Sequence, residues 1–432
     1  MNRKAVRSWL WVDWANSAFT TTIMATIMPI FYADVATKHM DATTSTAFWG
    51  YTQSIALIVV VLLSPVLGAI ADAARSKKAF LCFFTFMGAI ASVLMFFIGE
   101  GDWILASVLM IIGTIGFSGS NSFYDAFLSD LVPNEHDRDL VSSIGYSFGY
   151  IGGGILLAIN LLMIQYPESF FLPDRLVATQ VSFITVGLWW IGFSIPFFIH
   201  VKESKREGTQ SRSVVNWTKH GFQSVGKTIR NIRRYPELLK FLVAFWFFSD
   251  GINTIIKMAT IYGREVGIGQ NDLIIALLLT QVVGIPFTIL FGKIAENFGA
   301  MRTLTMTLFV YLLIVMLGFF MTTSLHFYLL ATAVGMVQGG SQALSRSLYS
   351  RLVPTKHQAE FFGFFSLSGK FASIFGPFVF GLIGQLMNSS RLGIISIAFF
   401  FIIGIIILST INLEKGRIEA ITGNPKDDLY IA

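Results

Sequence analysis

VDWANSAFT, residues 12–20, sets an aspartate into an apolar run. Trp9, Leu10, Trp11 and Val12 lead into Asp13, and Asn16, Ser17 and Thr20 follow it at steps of three, four and seven. That spacing gathers all four polar side chains on one helical face. The same pattern returns far along the chain in DGINTIIK, residues 250–257, where Asp250, Asn253, Thr254 and Lys257 repeat the steps. Two copies of a polar stripe in apolar helices predict a duplicated, membrane-embedded unit.

Composition supports the setting. Of 432 residues, 54% are hydrophobic and only 13% charged, against about 25% charged in soluble domains, and the mean hydropathy is +0.66. The apolar residues come in blocks of bilayer-spanning length. Twelve spans are expected: Ser8–Ala33, Ala47–Ala71, Ala79–Gly99, Trp103–Leu128, Leu140–Ile164, Thr179–Val201, Leu238–Tyr262, Asp272–Ile294, Thr303–Thr323, Phe327–Leu348, Phe361–Met387 and Leu392–Leu413. The basic start MNRKAVRSWLW lacks a short apolar core with a cleavage site, so span one is expected to stay. Cys82 is the single cysteine, which excludes an intramolecular disulfide.

The formal charge of +6 and pI near 9.3 reflect topology rather than nucleic-acid binding. With the N-terminus inside, external loops hold only Lys38, Arg175, Arg264 and Arg391, Lys257 and Lys370 lie within spans, and the other basic residues sit on the cytoplasmic side. This is the positive-inside asymmetry. It predicts both termini in the cytoplasm, and no nucleic-acid fold motif accompanies the charge. The expected organisation is a six-helix half over 1–201, a basic cytoplasmic linker over 202–236, a second six-helix half over 237–413 and a tail over 414–432. The linker is read as a solvated segment along anionic lipid.

Two loop pairs strengthen the duplication. GAIADAARSKK (68–78) matches GKIAENFGAMR (292–302), aligning Gly68 with Gly292, Ala71 with Ala295, Asp72 with Glu296 and Lys78 with Arg302. LVPNEH (131–136) matches LVPTKH (352–357). Parallel repeats of this kind flank a midplane site and rock about it.

These residues resemble the major facilitator superfamily. The loop after span two carries that superfamily's hallmark in degenerate form. DWANSAF in span one, YDAFLSDLVP at the end of span four and DGINT in span seven together resemble a narrower branch, the vacuole effluxer family, named for a fungal autophagy-related amino-acid exporter. The resemblance implies an all-α polytopic protein of twelve helices in two pseudo-symmetric halves, alternating access and amino-acid efflux. The chain lacks the long insertions associated with fungal relatives, which implies a bacterial protein of the cytoplasmic (inner) membrane, monomeric by the superfamily's default.

An ionisable residue near the bilayer centre costs roughly 2.5–3.5 kcal/mol on insertion scales, so it faces protein or water and is a functional candidate. Asp250 and Lys257 point the same way about 10 Å apart, with Asp250 about 18 Å into its span. Asp250 is expected to take a proton or a substrate's amino group, and Lys257 to face the substrate's carboxylate. The plainer reading is an ion pair between helices. Asp13, Asn16, Ser17 and Thr20 are the matching lining in span one, where Asp13 also fits a cytoplasmic gate. Asn121, Tyr124, Gln338, Ser341 and Gln342, on spans four and ten, are candidate hydrogen-bonding residues. Polar contacts that glue helices together are the alternative. Asp125 and Arg346 occupy matching places near the cytoplasmic ends of spans four and ten and are read as a gate bridge or a static pair. Asp72, Arg75, Glu296 and Arg302 are read as conformational hinges in the loops.

Gly145, Gly149 and Gly153 recur every four residues in span five, which predicts close helix packing. Gly376 with Pro377 predicts a break in span eleven. The six histidines lie in loops or at helix ends, no metal-ligand spacing or Walker sequence appears, and no cofactor is expected. The expected function is therefore secondary transport of a small zwitterion, with protons as the coupling partner through Asp250, alone or together with Asp13. A sugar–cation symporter or lysolipid carrier on the same scaffold, or a non-transporting membrane sensor, are the alternatives. Charge reversal of both Asp125 and Arg346 is expected to restore transport lost in either single reversal; absence of rescue would contradict the bridge.

Overall fold

The computed structural model describes residues 3–73, 77–132, 135–202, 223, 225–354 and 358–422. Those residues are nearly all helical. The spans are α1 (Arg3–Ala36), α2 (Ala42–Ala73), α3 (Lys77–Leu94), α4 (Trp103–Leu131), α5 (Glu135–Gln165), α6 (Arg175–His200), α7 (Pro236–Glu265), α8 (Gln270–Phe298), α9 (Ala300–Phe319), α10 (Ser324–Leu352), α11a (Gln358–Phe371) with α11b (Phe375–Leu386), and α12 (Ser390–Ser409). Among the described residues, eleven helices are long and apolar enough to cross a membrane. The twelfth expected span, α10, has the length, but Gln338, Ser341, Gln342, Ser345 and Arg346 make it more polar. Large apolar side chains such as Leu62, Leu188, Val282, Phe309 and Phe399 are exposed along these helices, as hydrocarbon-facing residues must be. The protein is a multi-pass integral membrane protein.

The contacts divide the chain into two compact units, one of Met1–Ser45 with Ile55–Gly221 and one of Thr46–Ser54 with Phe222–Ala432. The start of α2 thus belongs with the second unit. There Trp49 Nε1 donates to the Lys257 carbonyl at 3.1 Å and Ser54 Oγ to the Ile374 carbonyl at 2.9 Å.

Helix α1 departs from the expected plain span. It runs as an α-helix to Ala18, then widens to π-helix over Phe19–Ile27 and again over Tyr32–Ala36. Three successive threonines, Thr20–Thr22, sit where it widens, and the hydroxyls of Thr20 and Thr21 both donate to the Ser17 carbonyl at 2.9 Å. Such back-bonding competes with the regular ladder, and π-turns concentrate at functional sites.

Span eleven breaks at Ala372–Ile374, a few residues before Gly376–Pro377. The offset follows from proline chemistry: the Pro377 ring clashes with the carbonyl four residues earlier, that of Ser373, so the helix opens on that side. Beyond the spans, α13 (Leu413–Thr422) replaces part of the expected tail with a helix that packs on α7 and α10. Glu237, 2% exposed at the start of α7, accepts from Asn412 N at 2.9 Å and from Lys240 Nζ at 2.9 Å, and its own amide donates to Glu419 at 3.3 Å. A carboxylate with donors at a helix N-terminus holds that end in place.

The glycine stripe of α5 does pack closely, and against one element, α1. A Cβ on Gly145, Gly149 or Gly153 would fall 2.5–2.7 Å from Asp13 Oδ2, Ser17 Oγ or Thr21 Oγ1. Gly152, outside the four-residue spacing, is as crowded: its Cβ would lie 2.7 Å from the Trp14 carbonyl and indole, whereas Gly154 has nothing within 4 Å. Gly152→Ala is therefore expected to destabilise the protein by about 1–3 kcal/mol through overpacking, while Gly154→Ala gains up to about 1 kcal/mol from helix propensity. Thermal denaturation in detergent checks both, and equal effects would contradict this packing.

Candidate functional site

The two polar stripes sit in separate units. In the first unit the α1 stripe is bound to α4. Asn16, buried, donates from Nδ2 to Asn121 Oδ1 at 2.6 Å, and Tyr124 donates its hydroxyl to Asp13 Oδ2 at 2.6 Å. Tyr124 is itself fixed: its ring stacks on Trp9 with centroids 4.3 Å apart, and its carbonyl accepts from Trp9 Nε1 at 3.0 Å. Asp13, Ser17 and Thr20 are half-buried, and Asp13 and Ser17 face the α5 glycines. The stripe thus meets two helices. Asp13 and Ser17 lie over α5, Asn16 turns to α4, and Asp13 is also reached by Tyr124 from α4. One further polar atom stands nearby: Thr22 Oγ1, fully buried, has no hydrogen-bond partner among the described residues.

In the second unit the α7 stripe is anchored differently. Asp250 is 2% exposed. Both its carboxylate oxygens accept the Gly376 amide of α11b at 2.9 Å. Thr254 donates to the Asp250 carbonyl at 2.7 Å, and Asn253 folds back to the Ser249 carbonyl at 2.8 Å. The Lys257 ammonium, half-buried two turns from Asp250, has no hydrogen-bond or salt-bridge partner among the described residues, and Asp250 acts on it only at a distance. The alternative reading, an ion pair between Asp250 and a charge on another helix, finds no such pair among the described residues; the contact there is a helix terminus. An ammonium free of protein acceptors within an apolar span is an unspent binding group.

The remaining candidates are more dispersed. Gln338 is half-buried and Gln342 exposed on α10, with buried Ser341 donating to the Gln338 carbonyl at 2.9 Å. Asp125 on α4 and Arg346 on α10 are each exposed on their own unit. Asp125 lies close enough to Asp13 for the two carboxylates to repel. Lys370 is half-buried on α11a, and Arg302 is exposed. The Asp72 and Glu296 side chains and all of Arg75 lie outside the described residues. Among the described residues, no group of three or more His, Cys, Asp or Glu is placed to hold a metal ion.

Sequence reasoning placed Asp250 and the Gly376–Pro377 break in separate arguments and missed that one holds the other. The signal was available: a Gly-Pro pair inside an apolar span creates a half-helix with exposed amides, and a buried carboxylate is what such amides take. The Asp13–Tyr124 bond had a weaker signal, since both residues stood as candidates without a reason to pair. A double-mutant cycle on Asp13→Ala and Tyr124→Phe, read by thermal stability, is expected to show a coupling of about 1 kcal/mol; strictly additive effects would show that the hydroxyl is not holding the carboxylate.

The family model described as vacuole effluxer Atg22 like matches residues 40–421. An uncharacterised MFS-type transporter of Bacillus subtilis (strain 168), YxiO, is 40% identical over 413 residues, covering 95% of each chain. Autophagy-related protein 22 of the yeast Kluyveromyces lactis is 25% identical, covering 87% of this chain and 82% of its own. Among solved structures, a bacterial homologue of the human lysosomal transporter Spinster, inward-facing and unoccupied, has a TM-score of 0.70 at 14% identity, with 96% of each chain covered. The xylose transporter XylE of E. coli has a TM-score of 0.65 at 14% identity, covering 96% of this chain and 98% of its own. The fold is that of major facilitator transporters, not of an enzyme, and the chain belongs to the vacuole effluxer Atg22-like family.

Proposed function

We propose that this transporter carries small zwitterions, amino acids as a class, outward from the cytoplasm of a bacterium by alternating access. It works as a monomer in the inner membrane, with both termini cytoplasmic and protons as the coupling ion. The observation that carries the substrate class is the free ammonium of Lys257, in register with the anchored carboxylate of Asp250 on one helix. A carboxylate-bearing solute finds in Lys257 an ammonium that no side-chain acceptor contacts among the described residues. The family's description as vacuole effluxers supports carriage of a solute across a membrane. Asp250 is the group assigned to the proton, with Asp13 as its counterpart in the other repeat. A buried carboxylate gives the protonated and ionised forms different partners, which is what coupling to a conformational change requires.

Counterflow in proteoliposomes tests the substrate class without presupposing the coupling ion. Vesicles are preloaded with one amino acid at a time and offered its labelled form outside. Transient accumulation is expected for one chemical group of amino acids. Lys257→Ala is expected to weaken apparent binding by about 2 kcal/mol or more, about thirtyfold. Asp250→Asn is expected to abolish accumulation driven by a pH gradient. No counterflow for any amino acid from folded protein contradicts the substrate class and turns attention to sugars and lysolipids. Full gradient-driven accumulation by Asp250→Asn contradicts Asp250 as the coupling group.

A further inference from the structure

The break in span eleven frees backbone groups inside an apolar span, and each freed side is met by a named partner. On the carbonyl side, Ser54 Oγ donates to Ile374 O at 2.9 Å. On the amide side, Gly376 N donates to both oxygens of Asp250. Asp250 thus caps, from another helix, the N-terminus of α11b, a twelve-residue half-helix. Its charge meets the positive end of that helix's dipole. The fit depends on glycine: a Cβ at position 376 would fall 1.8 Å from Thr254 Oγ1 and 2.7 Å from Asp250 Oδ1.

We propose that the contact between the Asp250 carboxylate and the Gly376 amide is the joint through which proton occupancy of span seven moves the second half of span eleven, with Gly376 and Thr254 as its positioning residues. An ionised carboxylate offers only acceptors to the α11b terminus. Protonation turns one oxygen into a hydroxyl donor, removes the charge and loosens the cap. The half-helix is then free to take a second position about the non-helical residues Ala372–Ile374. Few charges compete for this control. Helix α11b and residues Thr46–Ser54 carry no Asp, Glu, Lys, Arg or His. The other helices packed against α7 carry Glu360 and Lys370 on α11a, Arg391 on α12, His326, Arg346 and Arg351 on α10, Asp272, Lys293 and Glu296 on α8, and Glu414, Lys415, Arg417 and Glu419 on α13. Among the described residues, the charge acting on Asp250 is that of Lys257 on its own helix. A substrate carboxylate bound to Lys257 would alter the field at the cap, so substrate and proton reach the same joint from one helix.

The proposal rests on reading Asp250 as the proton-carrying group, and its test separates the two. Spin labels on Met387→Cys, 62% exposed just past α11b, and Leu325→Cys, 65% exposed at the start of α10, report the position of the half-helix within its own unit in a Cys82→Ala background. Distances are measured by double electron–electron resonance in nanodiscs at about pH 5 and about pH 9, which bracket the range that buried carboxylates show. The expected result is a shift of about 2 Å or more between the two pH values. Asp250→Asn and Gly376→Ala are each expected to abolish the shift, fixing the acid-side distance at both pH values. An unchanged distance in the otherwise native protein overturns the joint, even where Asp250→Asn loses gradient-driven transport and the coupling role stands. A shift that persists in Asp250→Asn overturns it as well.

Discussion

A carboxylate deep in an apolar helix must find donors, because hydrocarbon supplies none. Asp250 finds them at the broken end of α11b, and that bond organises the second unit. It accounts for the glycine at 376, and among the described residues no side-chain cation forms a salt bridge with Asp250. By satisfying Asp250 with backbone amides, the fold also leaves Lys257 unpaired two turns away. A direct Asp250–Lys257 bridge would have neutralised both; the helix terminus keeps the lysine available.

The first unit solves the same problem with different parts. Asp13 is held by the Tyr124 hydroxyl, and the helix that carries it is pressed against small residues of α5. Its span widens into π-helix from Phe19, before the last member of the stripe, Thr20. Duplication has preserved the spacing of the acidic stripe while the anchors diverged, a phenol in one repeat and a helix terminus in the other.

The fold was legible because its signals are long-range and repeated: apolar blocks of span length, the asymmetry of basic residues, and the stripe at Asp13 and Asp250 in register with two loop pairs. Site residues were legible as types, since polar groups in apolar helices stand out against their surroundings. Their partners were not. Nothing in the residue spacing says that Asn16 reaches Asn121 or that Gly376 reaches Asp250, because both contacts join helices through rotation about their axes. The π-helical course of α1 was equally hidden; it arises from hydroxyl competition at Thr20 and Thr21, which spacing alone does not quantify. The helix over Leu413–Thr422 escaped notice because its stabilising partners, Glu237 and Asn412, lie at and before its docking point rather than within an apolar pattern.

The central claim of the proposed function is that the stripe of each unit, taken by itself, is reached by the solute rather than serving only to bind helices together. Thr20 and Asn253, both half-buried, report on this directly when each is replaced by cysteine in a Cys82→Ala background. The measurement is the rate of labelling by a small, charged, membrane-impermeant thiol reagent in vesicles, with and without the transported solute. The account predicts that both positions react and that solute slows both reactions. Failure of either cysteine to react in folded, transport-competent protein would contradict it and return that stripe to a purely structural role.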